Sequence, residues 1–192
     1  MRKISHQKGT TLIEIMVAIV VMAIGLLGLA SLQLNALKYQ KTASQRSEAV
    51  QAAYDLGERM RANWLISSDP SKYSQDRADN EARYKYDAYY STTIALDRSA
   101  LPNNCAILMS NSAGCDAKKI ADNDKMAWLR MLELRLAGGA GLILPVTTGT
   151  SVSSFDITVM WKEQGLTSTD PACPGNAAAP VGVRCFTLRY TI

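Results

Sequence analysis

The chain is poor in the groups on which most enzymes rely. Its only histidine is His6, so it carries one imidazole that could act as a base near neutral pH. No pair of carboxylates stands out by spacing. A Gly-rich phosphate loop is missing too, because Gly138-Gly139-Ala140-Gly141 follows a helical pattern instead of opening one. The four cysteines, Cys105, Cys115, Cys173 and Cys185, include no C-x2-C knuckle, which argues against a thiolate zinc site. Aromatic residues make up only 7% of a chain that is 47% hydrophobic, so the expected core is aliphatic. Proline is absent before Pro70, and from Leu12 to Leu34 the only charge is Glu14. The first absences leave little for catalysis, so neither an enzyme nor a cofactor is expected. The last two describe an unbroken apolar helix with one carboxylate inside it.

The formal net charge is +4, but Arg2, Lys3 and Lys8 stand ahead of the apolar run, leaving the rest close to neutral. No basic face for nucleic acid follows. At ~1.5 Å per residue the run from Leu12 to Leu34 rises ~35 Å, enough to cross a hydrocarbon core of ~30 Å. Arg2, Lys3 and Lys8 crowd its N-terminal flank more densely than Lys38 and Lys41 follow it, which predicts a cytoplasmic N-terminus and export of the remainder. On that topology the cysteines meet an oxidising compartment and form two disulfides.

Glu14 needs an explanation. A carboxylate costs ~2.5 to 3.5 kcal/mol mid-membrane and less near the boundary, while a helix N-terminus returns only ~0.3 to 1 kcal/mol. A cleavable signal peptide ending near Gly28-Leu29-Ala30 fits less well, since its apolar region would begin with an acid. A partner cation resolves the cost. A cut after Gly9 would create one: the new amine of Thr10 lies four residues before Glu14, on roughly the same helix face. Two unit charges ~4 Å apart attract by roughly 4 kcal/mol at an effective dielectric of 20. A neighbouring subunit's amine would serve equally, and the charge would then set register between helices.

Lys8-Gly9 followed by Thr10-Thr11-Leu12-Ile13-Glu14 and an unbroken apolar helix resembles the class III leader of type IV pilins and pseudopilins. The resemblance implies a membrane prepilin peptidase that cuts between Gly9 and Thr10 and methylates the Thr10 amine, with Glu14 serving assembly. The family's usual first mature residue is Phe; here it is Thr10. Further along, Ala53-Tyr54-Asp55-Leu56-Gly57-Glu58-Arg59-Met60-Arg61-Ala62-Asn63 is similar to the segment that follows the helix in the PilV family of minor pilins, the type IV pilus modification proteins, with Glu58 where that family has Asp. This resemblance implies a minor pilin that joins other minor pilins and the major pilin, with a tip adhesin as a further partner, in a complex that primes assembly and sits at the pilus tip. Such a protein rests in the inner membrane, domain periplasmic, before entering the fibre, and serves adhesion or twitching motility. A pseudopilin of a type II secretion system shares the leader and helix. The cysteines and the Glu58–Asn63 segment direct the reading to the pilus.

Past the membrane run, Val50, Ala53, Leu56, Met60 and Trp64 recur at spacings of three and four, which predicts an amphipathic helix continuing to Asn63 or Trp64. Gly57 would weaken it and mark a bend. Residues 66 to 121 show no sustained periodicity; Tyr84, Tyr86, Tyr89 and Tyr90 are expected to cover a sheet edge or pack on the long helix. Asp122 or Asn123 is expected to cap a helix through Lys125–Leu136, stopped by Gly138-Gly139. Gly141–Thr147, Ser154–Glu163 and Arg184–Ile192 read as strands, the last two with Phe155, Ile157, Val159 and Trp161, and Phe186, Leu188, Tyr190 and Ile192, on one buried face. Of three possible pairings, Cys105–Cys115 and Cys173–Cys185 enclose turn-rich segments and are preferred; the second would contribute roughly 3 kcal/mol by pinning the Gly- and Pro-rich loop to the last strand.

The expected architecture is therefore α+β and type IV pilin-like: a long N-terminal helix, membrane half and amphipathic half, packed on a C-terminal antiparallel sheet. Its parts are a cleaved leader at 1–9, a transmembrane and assembly half at 10–35, the amphipathic half at 36–65, and an exported globular domain at 66–192.

Overall fold

The computed structural model describes residues 11–65, 68–98, 105, 115–146 and 153–192. The chain divides into two compact units, Met1–Ala43 and Ser44–Ile192. One helix, α1 (Leu12–Ala62), contributes to both. It stops at Ala62, short of the expected Trp64. Trp64 lies beyond it and packs edge-on against Phe155, ring centroids 6.0 Å apart.

In the first unit α1 carries apolar residues on every face. An eighteen-residue window of it has mean hydropathy 2.7, and none of that window is buried. It is long and apolar enough to cross a membrane.

In the second unit the remainder of α1 turns amphipathic, burying Ala49, Ala52, Ala53, Leu56, Gly57 and Met60. The expected stripe is thus shifted slightly, since Val50 is only half-buried. Gly57 makes a close contact: a Cβ there would fall 2.5 Å from the Tyr190 ring, so the missing side chain lets the ring lie on the helix.

Among the described residues three more α-helices follow: α2 (Tyr73–Tyr84), α3 (Tyr90–Ala95) and α4 (Ala117–Arg135), with a 3-10 turn at Pro70–Lys72 leading into α2. Much of the segment read as irregular is therefore helical. Helix α2 escapes periodicity because its inward face is made of Asn80 and Tyr84, both fully buried, and Asn80 bonds the backbone of Leu65 through both its amide atoms. Helix α4 begins at Ala117, not beside Asp122 or Asn123, because Asp116 is the cap: its carboxylate accepts from the Lys119 N–H at 2.8 Å. Asp122 instead pairs inside the helix with Lys118 and Lys125, the i,i+4 and i,i+3 spacing.

The sheet is three antiparallel strands in the order β1 (Ala140–Val146), β2 (Ser154–Lys162), β3 (Val183–Thr191). Phe155 faces Tyr190, Ile157 faces Leu188 and Val159 faces Phe186 across β2 and β3. The inner face joins α1 and α4 in the main core, which includes Leu56, Met60, Trp128, Leu132, Phe155, Ile157 and Trp161. The outer face is not left to solvent, as one-sided burial would have it. Met160, Leu142, Val183 and Cys185 form a second cluster with Tyr90 and Ala177, so β2 is buried on both faces along Ile157–Trp161. At β1, Ile143 forms an isolated bridge with Tyr86, which covers that edge.

Candidate functional site

The residue expected to serve assembly lies on α1. Glu14 stands in its first turn, where the N–H groups of Glu14 and Ile15 both point to the Thr11 carbonyl, at 3.0 and 3.4 Å. A carboxylate at this end suits the positive pole of the helix dipole. Gly9 and Thr10, the expected cleavage pair, lie outside the described residues, so the amine expected to face Glu14 does too. Around the acid, Ile13, Met16, Val17 and Val21 keep more than half their surface exposed, the state of a helix whose neighbours are lipid or other helices.

The segment Asp55–Asn63 anchors the helix to its own domain. Asp55 accepts from Arg59 Nε at 2.9 Å, and the same guanidinium reaches Asp124 at 3.7 Å. Tyr84 donates its hydroxyl to Asp124 at 3.0 Å, and Asn63 donates to the Tyr84 oxygen at 3.0 Å and to the Ala117 carbonyl at 2.9 Å. Burial pushes the Tyr84 phenol well above its ordinary value. Burial also lifts the Asp124 carboxyl, against the pull of the Tyr84 hydrogen bond and the Arg59 charge. On the neighbouring face Tyr190 donates to Glu58 Oε1 at 2.7 Å, while Arg61 stacks over the Tyr190 ring, 5.7 Å from its centroid. Met60 and Leu56 are wholly buried between these polar groups. The segment is thus a set of contacts holding α1 to α2, α4 and β3.

The four tyrosines separate in role. Tyr84 belongs to this network and Tyr86 to the sheet edge. Tyr90 is buried and donates to the Gly138 carbonyl at 2.9 Å; Tyr89 is exposed. They make no common platform. Cys105 is joined to Cys115 and Cys173 to Cys185, with Cα separations of 5.9 and 5.0 Å. The segment enclosed by the first pair, 106–114, lies outside the described residues. The second pair rests on Asp170, whose carboxylate accepts from the N–H groups of Ala172 and Cys185, both at 3.0 Å. Burial would raise that carboxyl, but the two N–H bonds and the Arg184 charge outweigh it and hold it below its usual range.

Sequence reasoning gave no role to Asp124, and none to Asp170, whose Asp-Pro-Ala-Cys context is a turn signal that could have found it. It also missed Arg98, buried with its guanidinium donating to the carbonyls of Thr93, Leu129 and Gly139. An open groove of about 600 Å³ is lined by Trp64, Pro70, Tyr73, Arg77, Ser153 and Ile192. Among the described residues no group of His, Cys, Asp and Glu is placed to hold a metal ion.

Comparison with known families finds one match: residues 4–30 fit the prokaryotic N-terminal methylation motif. No curated protein and no solved structure matches the chain. The motif spans Gly9, Thr10, Glu14 and most of the apolar run, and it supports a type IV pilin or pseudopilin, a structural protein processed by prepilin peptidase and assembled with other pilins. Together with the apolar half of α1 it fits membrane anchoring before assembly.

Proposed function

We propose that the chain is a minor pilin of a type IV pilus, of the PilV kind, which joins other minor pilins in a complex that primes assembly and occupies the tip. Prepilin peptidase cuts between Gly9 and Thr10 and methylates Thr10. The span 10–35 then waits in the inner membrane with the domain in the periplasm. Glu14 pairs with a terminal amine, its own or a neighbour's, and so sets the register of the helix in the growing fibre. Disulfides Cys105–Cys115 and Cys173–Cys185 brace the exported domain.

The observation that carries this reading is a methylation motif at 4–30 overlapping a 51-residue helix whose apolar stretch is left unburied among the described residues. The Asp55–Asn63 contacts support it from the other side, since they hold a helix that must withstand extraction from lipid. N-terminal sequencing of protein extracted from membranes tests the processing: methylated Thr10 is expected, and a chain that begins elsewhere sinks the reading. Glu14→Ala should leave cleavage intact yet sharply reduce both fibre incorporation and co-purification of partner minor pilins. Unchanged recovery of those partners would remove the register role.

A further inference from the structure

The exported flank of the apolar run carries cations where the bias of membrane topology disfavours them. From Ile15 to Ser47 there is no carboxylate at all, yet Lys38, Lys41 and Arg46 lie there. Lys38 and Lys41 fall three apart on α1, so both point to one side of the helix. No acidic residue stands within a helical turn of either, and both are exposed. Tyr39 lies between them and is 77% exposed. The next acid along, Glu48, already pairs with Arg135 at 3.1 Å.

Depth places these residues at a definite level. A hydrocarbon core of ~30 Å takes about 20 helical residues. With Glu14 at its inner boundary, that core ends near Leu34, and a headgroup layer of ~5 to 7 Å takes roughly the next four or five. Lys38 and Tyr39 then stand at the phosphates and Lys41 within reach of them by its long stem. An exposed tyrosine at this level matches the interfacial preference of amphipathic rings. Lysines without acid partners match a surface of anionic phosphate.

We infer that Lys38, Tyr39 and Lys41 form a collar that binds anionic phospholipid headgroups at the exported membrane face, fixing the depth at which the subunit waits. The inference rests on the membrane reading given above. The collar gives the waiting subunit a grip that assembly must release, since entry into a fibre strips the headgroups away.

The full chain, reconstituted in phosphatidylcholine vesicles with and without phosphatidylglycerol, provides the test. Spin-labelled phosphatidylglycerol and phosphatidylcholine report which lipid associates with the helix. A several-fold preference for phosphatidylglycerol is expected; it should fall by about half or more in Lys38→Gln and again in Lys38→Gln/Lys41→Gln, weaken with added salt, and survive in Lys38→Arg/Lys41→Arg. Any contribution from Arg2, Lys3 and Lys8 is common to all variants, so the differences report the collar. Equal association of both lipids, or a preference untouched by the double glutamine variant, overturns the inference while leaving the minor-pilin reading standing. Protein that washes off the vesicles in alkaline carbonate would overturn the membrane reading and the collar with it.

Discussion

Up to Ala43, α1 exposes apolar side chains on every side: Ile24, Leu26, Leu27 and Leu29, which point in different directions around the helix, retain 66, 66, 72 and 57% of their surface. From Ala49 onward the same helix buries Ala49, Ala53, Leu56 and Met60 completely. The acids differ in parallel. Glu14 has no cationic side chain within a turn among the described residues, whereas Asp55 holds Arg59 and Glu58 holds Tyr190. One stretch is written for an apolar surrounding supplied by something else, the other for a core supplied by its own chain. The difference teaches that the contacts which fold the domain occupy only one part of the helix, so substitutions in the exposed part should spare the stability of the folded part.

The largest break of that separation would come at Trp128, which is buried and donates its indole N–H to the Ala52 carbonyl at 2.9 Å. Trp128→Ala should cost about 3 to 5 kcal/mol, read as a lower urea midpoint by near-UV circular dichroism of the full chain in detergent. Ile19→Ala, at a position 61% exposed, should leave that midpoint where it is. If both variants unfolded alike, the two halves would not be separable.

Glycine sharpens the same contrast with one chemistry at two places. At Gly57 an added methyl meets the Tyr190 ring at 2.5 Å, while at Gly25 and Gly28 it meets nothing within 4 Å. Gly57→Ala should lose about 1 to 2 kcal/mol, overpacking exceeding the ~1 kcal/mol gained in helix propensity. Gly28→Ala should show no loss. Equal stability of Gly57→Ala and the parent would mean that the ring yields, and that the helix is not fixed where Tyr190 meets it.

How much of this was legible in the sequence depends on which residues carried the signal. The apolar run, the two long strands and the stripe through Leu56 and Met60 could be read because burial there falls on apolar side chains at a fixed period. Helix α2 could not, because Asn80 and Tyr84 are buried by hydrogen bonding. The start of α4 was misplaced because Asp122 and Asn123 look like caps, whereas Asp116 does the capping and the neighbouring Asp124 faces Arg59 and Tyr84. Burial of the sheet's outer face was hidden because it depends on Ala177, in a loop too poor in apolar residues to announce a core. The segment Asp55–Asn63 was legible as a likeness but not as a mechanism: that its arginine and asparagine lock α1 to two other helices follows only from placing Tyr84 and Asp124 beside them.

The smallest expected effect sets two buried aspartates of the folded unit against each other. Asp170 is held below its ordinary value of 3.8, so its contribution is present above that pH and is lost as pH falls toward the folded value. Asp124 is raised above 3.8: its ionisation favours the unfolded chain once pH exceeds 3.8, until the folded carboxyl ionises as well. Asp170→Asn should therefore cost about 1 kcal/mol at neutral pH, since a neutral amide accepts the Ala172 and Cys185 N–H groups less strongly, and the gap from the parent should close on acidification. Asp124→Asn should shift the other way, the parent gaining on the variant as pH falls through the raised value and its carboxyl becomes neutral. Urea midpoints of the three chains between neutral pH and pH values below 3.8 decide it. Parallel curves would mean that neither carboxylate is held as its neighbours require, and the acid pairs of the second unit would then be no more committed than Glu14 in the first.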